Sequence, residues 1–142
     1  MTIARLIAGR STDLLSCETT TSVREAVALL AEKRIGALPV FENGQIAGIF
    51  SERDVIYQLA AHGPAMLDGP VGAVMTAPAI TVDPGTGVMD ALGLMTRRRF
   101  RHLPVVENGT VVSIVSIGDL VKYRIERIES EAEAMRAYIQ TA

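Results

Sequence analysis

Residues 35–54 read IGALPVFENGQIAGIFSERD, and residues 100–119 read FRHLPVVENGTVVSIVSIGD. The two stretches align without a gap, so that Leu38-Pro39-Val40 matches Leu103-Pro104-Val105 at an offset of 65 residues (103 − 38). A register held over this length indicates an internal repeat rather than chance matching. We therefore predict that the chain of 142 residues folds as two copies of one unit.

Each copy carries a strong hairpin signal. Asn43-Gly44 in the first copy and Asn108-Gly109 in the second each lie between apolar runs. Asn-Gly supplies the positive φ angles of a tight type I′ turn, so each pair is predicted to join two antiparallel strands. The predicted strands are Leu38 to Phe41 and Ile46 to Phe50 in the first copy, and Leu103 to Val106 and Val111 to Val115 in the second.

A helix is predicted before each hairpin, because apolar residues recur there at helical spacing. Ser22 is a candidate N-cap, and Glu25 three residues later completes a capping-box pattern. The apolar positions are Val23, Ala26, Val27 and Leu30 in the first copy and Val88, Ala91, Leu92 and Met95 in the second, where Thr86 or Gly87 is a weaker cap.

Each unit is completed by a strand at its start and a second helix at its end. Short apolar stretches predict the leading strands, Leu14-Leu15-Ser16 and Ile80-Thr81-Val82. The second helices are predicted to start near Ser51 and Ser116. The unit therefore reads strand-helix-strand-strand-helix, which places the chain in the α/β (α+β) class.

The two units are predicted to pack sheet to sheet, since one unit alone has a single sheet face to bury and would be marginally stable. The halves then share a core, relate by pseudo-two-fold symmetry and leave two equivalent clefts between them. Two prolines and two glycines in HGPAMLDGP mark a linker. The predicted division is 1–61 for the N-terminal segment and first unit, 62–76 for the linker, 77–125 for the second unit and 126–142 for a C-terminal helix extension.

This ordered set of motifs, present twice, resembles the CBS family, which is named after cystathionine β-synthase. The residues that carry the resemblance are 35–40 and 48–54 in the first copy and 101–105 and 113–119 in the second. The resemblance extends over roughly residues 12–125. It implies a stand-alone tandem CBS pair, or Bateman module, of the bacterial type.

The family resemblance also implies a function. Tandem CBS pairs typically bind adenosine derivatives in the clefts between the two motifs, so we expect AMP first, with NAD(H), ATP or ADP as alternatives. The nucleotide would be a regulatory ligand rather than a catalytic cofactor, and a protein not yet known would respond to it. The alternative is a structural dimerisation or adaptor module with non-functional clefts, which Ser113 and Gly118 favour for the second copy because Gly48 and Arg53 stand there in the first.

A Ser-x-x-Asp sequence opens the second helix of each copy. Backbone N–H groups at a helix start favour phosphate, and an aspartate there can accept from ribose hydroxyls. By resemblance, Asp54 and Asp119 are assigned to ribose, and Ser51 and Ser116 to phosphate. The same spacing is also close to a capping box, and the two roles are compatible.

Cations near the clefts are further candidates for phosphate binding. Arg101 and His102 precede a predicted strand, where family members place cations that face the cleft. Arg53 is a third candidate and is expected to reach the neighbouring cleft. Arg97 and Arg98 are interpreted instead as the solvated end of a helix, where cations complement the dipole.

Adenine needs an apolar slot with backbone hydrogen bonds at its edge. Core packing is the alternative role for the apolar residues that could form such a slot. The candidates are Thr81, Val82, Leu103 and Pro104 for one cleft, and Ser16, Cys17, Leu38 and Pro39 for the other.

The composition argues against several other functions. No catalytic constellation stands out, and two histidines with one cysteine make a zinc site improbable. A net charge of −2 and 4% aromatic residues disfavour nucleic acid. Residues 1–10 do not read as a signal peptide and no run has the roughly 18 apolar residues of a membrane span, so we expect a cytoplasmic protein.

The last predicted helix, from about Asp119 to near Gln140, carries an apolar seam. Its members are Val121, Ile125, Ile128, Ala132, Met135 and Ile139, which step by four and three residues in heptad fashion. A seam that extends beyond a finished unit needs a partner, so we predict a homodimer. The alternative is that the helix folds back on its own chain or on residues 3–7.

Overall fold

Residues 2–10 and 13–141 are described by a computed structural model of the chain. The helices are α1 (Ile3–Ile7), α2 (Val23–Lys33), α3 (Glu52–His62), α4 (Val88–Arg98) and α5 (Ile117–Thr141). The strands are β1 (Cys17–Glu18), β2 (Ala37–Glu42), β3 (Gln45–Ser51), β4 (His102–Glu107) and β5 (Thr110–Ser116), and two 3₁₀ turns span Pro64–Asp68 and Val71–Ala73. This mixture of helices and two small sheets confirms the predicted class and the C-terminal helix.

The two hairpins form as predicted from their Asn-Gly turns. Asn43 and Asn108 both have a φ of 52°, and Gly44 and Gly109 both have a φ of 78°. Strands β2 and β3 pair antiparallel, as do β4 and β5. Each pair has one register irregularity, between Val40 and Phe41 and at the matching place in the second copy.

The leading strands are shorter than predicted and begin later. In the first copy the strand is Cys17–Glu18, which pairs in parallel with β2, and not Leu14-Leu15-Ser16. In the second copy only Val82 makes such a bridge, to Val105. The bridge Cys17–Val40 and the bridge Val82–Val105 are again 65 residues apart (82 − 17), so the leading segment pairs with the hairpin at the equivalent place in both copies.

The predicted Ser22 cap of α2 forms, but the Glu25 side chain does not complete the predicted capping box. The Ser22 Oγ accepts the N–H of Glu25 at 3.1 Å and so caps α2. Helix α4 starts after Gly87, which has no side chain to cap it. Helices α2 and α4 end at Arg34 and Arg99, whose φ values of 53° and 58° are left-handed.

Each half of the chain has its own core, so the expectation of one shared core is wrong. In the first half, Val23, Leu38 and Phe50 are buried between α2 and the sheet. In the second half, Val88 and Leu103 hold the equivalent places. The prediction failed because the helices of each unit cover its own sheet.

Two connecting segments cross between the halves. The N-terminal arm, residues 2–10, packs on the second half, where Ile3 is fully buried and its N–H donates to the Thr86 carbonyl at 2.9 Å. The linker packs on the first half, where Val71 is fully buried and its N–H donates to the Thr21 carbonyl at 2.8 Å. Each half is therefore completed by the segment that leads into the other.

Helix α5 extends far beyond the second core. Its 25 residues span about 37 Å at a rise of 1.5 Å each. Leu120, near its start, is buried against the second core. Within residues 2–10 and 13–141, no helix has both the length and the apolar character needed to span a bilayer.

Candidate nucleotide clefts

The first cleft surrounds the start of α3 and is named here the Asp54 cleft. It has a volume of about 220 Å³. Its walls come from both halves of the chain, because residues of β3 and α3 face the segments 76–80 and 99–102. The apolar part of the wall consists of Ile49, Pro78, Ile80 and Phe100.

Asp54 is held by four hydrogen bonds, one of which runs from the Ser51 hydroxyl to its Oδ2 at 3.2 Å. The backbone N–H of Ser51 donates to its Oδ2 at 2.9 Å, and its own N–H donates to the Ser51 Oγ at 3.4 Å, which makes a full capping box. The hydroxyl of Thr76 donates to the Oδ1 at 2.9 Å. The carboxylate is thus fixed at a helix start and faces a cleft, where the remaining lone pair of its Oδ1 can accept a ribose hydroxyl.

Arginines make the Asp54 cleft cationic. Arg53, Arg99 and Arg101 all line it. Arg53 donates from Nη1 to the Arg99 carbonyl at 3.1 Å and from Nη2 to the Tyr57 hydroxyl at 3.2 Å. The hydrogen bond from Arg53 lowers the pKa of Tyr57 below its ordinary value. Arg53 thus lies in the cleft of its own copy, and the expectation that it reaches the neighbouring cleft is wrong.

The second cleft surrounds the start of α5 and is named here the Asp119 cleft. It is larger, at about 590 Å³. The N–H of Ser116 donates to the Asp119 Oδ2 at 2.9 Å, and the N–H of Asp119 donates to the Ser116 Oγ at 3.0 Å. Its apolar wall consists of Leu14, Leu15, Ile35, Val112 and Ile114.

A cation pairs with the carboxylate of the second cleft. The Arg10 Nη2 lies 3.1 Å from the Asp119 Oδ2, and its Nη1 donates to the Ile114 carbonyl at 3.0 Å. Burial alone would raise the pKa of Asp119, but the hydrogen bonds from Ser116 and Arg10 outweigh it and hold that pKa below its ordinary value. Asp119 is therefore a carboxylate at neutral pH.

His102 borders both clefts. A Cβ on Gly36 would lie 3.1 Å from its imidazole, so the glycine permits this close approach. Burial lowers the pKa of His102, an effect that the nearby Glu52 and Asp119 only partly offset. The imidazole is uncharged at neutral pH, so it can offer a hydrogen bond to phosphate but not the positive charge that its assignment as a cation assumed.

A family model for the CBS domain matches the chain twice, over residues 7–61 and 71–126. The chain belongs to the CBS domain family. The resemblance inferred from the repeated motifs is therefore confirmed.

Other CBS proteins are similar over most of the chain. The CBS domain-containing protein CBSX3, mitochondrial, of Arabidopsis thaliana is 37% identical over 139 residues, which are 93% of this chain and 68% of the relative. The solved structure of a protein with CBS domains from Burkholderia ambifaria MC40-6 has a TM-score of 0.83 at 34% identity, and the match covers 89% of this chain and 95% of that chain. The crystal structure of CBSX2 in complex with AMP has a TM-score of 0.72 at 27% identity, covering 88% and 96%.

The CBS clefts bring together all the residues that the sequence assigned to ribose and phosphate. The Asp54 cleft is lined by Ser51, Arg53, Asp54, Arg101 and His102. The Asp119 cleft is lined by Ser116 and Asp119, again with His102. Their roles toward a ligand stay predictions.

The structure places the predicted adenine residues elsewhere. Leu38 and Leu103 are fully buried in the two cores, because successive strand residues point to opposite faces and these two point inward. The cleft walls are formed by neighbours such as Ile80 and Leu15. None of the eight residues predicted to contact adenine lines either cleft; they are Ser16, Cys17, Leu38, Pro39, Thr81, Val82, Leu103 and Pro104.

Several cleft residues were not predicted from the sequence, and three of them make informative contacts. Thr76 and Arg10 reach the carboxylates from connecting segments, so only the tertiary fold brings them there. Tyr57 lies one turn after Arg53, and this i, i+4 spacing was a signal that sequence reasoning could have used. Within the part of the chain that the structure describes, no group of three or more His, Cys, Asp or Glu could hold a metal ion.

Proposed function

We propose that this CBS pair is a regulatory module that binds an adenine nucleotide, with AMP as the first candidate. The observation that supports it most is the Asp54 cleft, where a helix start and a fixed carboxylate meet three arginines beside an apolar wall. These are the groups that ribose, phosphate and adenine need. The related CBSX2 was crystallised in complex with AMP.

The proposed binding mode uses the groups already in place. Asp54 accepts the ribose hydroxyls, and Ser51 and the α3 N-terminus face the phosphate. Arg53 and Arg101 supply planar donors for phosphate oxygens. Adenine lies against Ile80 and its apolar neighbours, rather than against the core residues that the sequence suggested.

A short phosphate suits this cleft best. Its volume of about 220 Å³ is small, which favours AMP over longer ligands. ADP, ATP or NAD(H) would extend their second phosphate towards Arg99 and Arg101. AMP therefore remains first in the order of candidates, as the sequence reasoning had it.

The proposed regulation depends on the two walls of the Asp54 cleft, which belong to different halves of the chain. One wall belongs to the first half and the other to the second half with the end of the linker. A ligand that contacts both walls stabilises one arrangement of the halves over others, which is the condition for a conformational signal. We propose that another protein responds to this arrangement and that the chain itself catalyses no reaction. Cytoplasmic location likewise stays a prediction.

Dimerisation through α5 is part of the proposal. Ile125, Ile128 and Met135 are exposed by 50%, 48% and 60%, so the chain does not cover its own seam. This exposure disfavours the alternative in which α5 folds back. A second copy offers the same heptad spacing and is the proposed occupant. The same seam supports the alternative function, a dimerisation or adaptor module whose clefts stay empty.

Calorimetric titration of nucleotide-stripped protein tests the proposal. AMP, ADP, ATP, NAD⁺, NADH and S-adenosylmethionine are titrated into the wild type and into Asp54→Ala and Asp119→Ala. Asp68→Ala is the matched control, because Asp68 is an exposed carboxylate paired with Arg24 at 3.1 Å and lines neither cleft. We expect micromolar AMP binding that is lost in a cleft variant and kept in the control. No heat with any of the six ligands would reject nucleotide sensing and favour the adaptor module.

A further inference from the structure

The two CBS copies use different residues at one repeat position of the sheet edge. Ile49 and Ile114 are equivalent (114 − 49 = 65), and both carbonyls accept a hydrogen bond from a connecting segment. The Ile49 carbonyl accepts the N–H of Thr76 at 2.8 Å. The Ile114 carbonyl accepts the Nη1 of Arg10 at 3.0 Å. A guanidinium therefore stands in the second cleft where a threonine stands in the first.

The same exchange is seen at the two ribose carboxylates. The Thr76 hydroxyl donates to Asp54 at 2.9 Å, whereas the guanidinium of Arg10 pairs with Asp119 at 3.1 Å. The threonine is neutral and the arginine is charged. The two carboxylates thus start from different states, one held by a hydroxyl and one neutralised by a cation.

This difference sets a condition on any ligand of the Asp119 cleft. A ribose that bonds Asp119 competes with a charge-assisted bond, which is stronger than a neutral one. A phosphate on the same ligand gives Arg10 a new anionic partner, so the exchange loses little. A neutral nucleoside has no phosphate, so it gives the Arg10 guanidinium no new anionic partner when the ion pair with Asp119 breaks. The Asp119 cleft is also lined by the cation Arg34 and, besides Asp119, by the acidic residue Asp13.

We propose that Arg10 selects phosphorylated adenosyl ligands for the Asp119 cleft. Its guanidinium moves from Asp119 to the ligand's phosphate as the ribose takes over the carboxylate. This inference rests on the proposed nucleotide binding and adds to it a discrimination between nucleotide and nucleoside. The Asp54 cleft has no part in it, because its carboxylate is held by Thr76.

The test measures the Asp119 cleft alone, in an Asp54→Ala background. AMP and adenosine are titrated into this protein with and without Arg10→Met, which keeps the apolar stem of the side chain and removes its charge. Arg24→Met is the matched control, because Arg24 also forms an ion pair at 3.1 Å, on the surface and with Asp68. Arg10→Lys keeps the charge but not the planar fork.

We expect Arg10→Met to lower the adenosine Kd at least about tenfold, because the ribose no longer has to break a charge-assisted bond to reach Asp119. The AMP Kd should change much less, because the variant loses the bond from Arg10 to the phosphate but also the ion pair that AMP must break. The preference for AMP over adenosine then falls at least about tenfold, Arg10→Lys restores part of it, and Arg24→Met leaves it unchanged.

Other results would overturn the inference without touching the proposed function. Equal weakening of AMP and adenosine would mean that Arg10 only supports the fold of the arm. An unchanged preference, or no AMP binding in the Asp54→Ala background while the wild type binds AMP, would also reject selection by Arg10. Absence of AMP binding by the wild type would reject the proposed function itself.

Discussion

Gly48 allows the linker to cross β3, and replacing it should destabilise the first half. A Cβ at Gly48 would lie 2.6 Å from the Thr76 carbonyl oxygen and 2.9 Å from the Met75 sulfur. A carbon and a carbonyl oxygen normally stay about 3.3 Å or more apart, so the linker backbone must move by roughly 0.7 Å or more. That movement strains the two hydrogen bonds between Ile49 and Thr76, which are 2.9 and 2.8 Å long.

The cost of Gly48→Ala can be worked out from these contacts. Overpacking a filled site costs about 1–3 kcal/mol, and each weakened backbone hydrogen bond adds up to about 1 kcal/mol. We expect the free energy of unfolding to fall by about 2–4 kcal/mol. For a chain of this length that lowers Tm by about 7–13 °C. The AMP Kd should also rise, because displacing Thr76 removes a hydrogen bond from Asp54.

Thermal unfolding followed by circular dichroism measures the loss of stability. Ser113→Ala is the matched control, since Ser113 occupies the equivalent repeat position (113 − 48 = 65) and already carries a Cβ. It should change the free energy of unfolding by less than about 0.5 kcal/mol. If Gly48→Ala melts within about 2 °C of the wild type, the linker adapts freely and the steric reasoning is wrong.

Three further predictions follow from the surface and from two titratable side chains. Ile128→Glu places a charge in the exposed seam of α5 and should convert a dimer to a monomer in sedimentation. The control Glu129→Ala, at the adjacent residue, should leave the dimer intact. A dimer that persists in Ile128→Glu would show that the seam is not the dimer interface. Because folding lowers the pKa of His102, the unfolded state takes up the proton first as pH falls below about 6.5, and the free energy of unfolding should decrease there. The decrease should be smaller in His102→Gln than in the wild type, and His62→Gln, at an exposed histidine, is the control. An equal decrease in the wild type and in His102→Gln would contradict the buried imidazole. Burial raises the pKa of the Cys17 thiol to about 11. Its reaction with a disulfide reagent near pH 8 should therefore be slow until denaturant unfolds the chain. Immediate reaction of the folded protein would contradict the buried position of Cys17.

The parts of the fold that sequence predicted are those that local chemistry determines. The Asn-Gly turns at 43–44 and 108–109 dictate their own φ angles, and Ser22 caps its helix through a neighbour three residues away. The leading strands are different, because Cys17 becomes a strand residue only by pairing with Val40. Their position follows from the hairpin and not from their own apolar residues, so the sequence placed them too early.

In the CBS clefts, too, the features set by local sequence were predicted and those set by the tertiary fold were not. The capping box of Ser51 and Asp54 was predicted from their spacing, and both residues line the cleft, where their role toward a ligand stays a prediction. The apolar wall of each cleft was not predicted, because the choice between Leu103 and its neighbour depends on which strand face is turned to the core. A pattern of apolar residues gives the alternation but does not say which side the cleft takes.

The crossing of the two connecting segments explains why the copies differ where the repeat predicts that they match. Thr76 closes the Asp54 cleft from the linker, and the linker's backbone passes so near β3 that only a glycine fits at position 48. In the second copy the N-terminal arm approaches with a long side chain, Arg10, rather than with its backbone, so Ser113 has room. Ser113 in place of Gly48, one of the two departures that suggested a non-functional second cleft, thus follows from how the arm approaches. The second cleft is larger and carries its own cation, and on that physical ground we propose that it is a different binding site rather than a lost one.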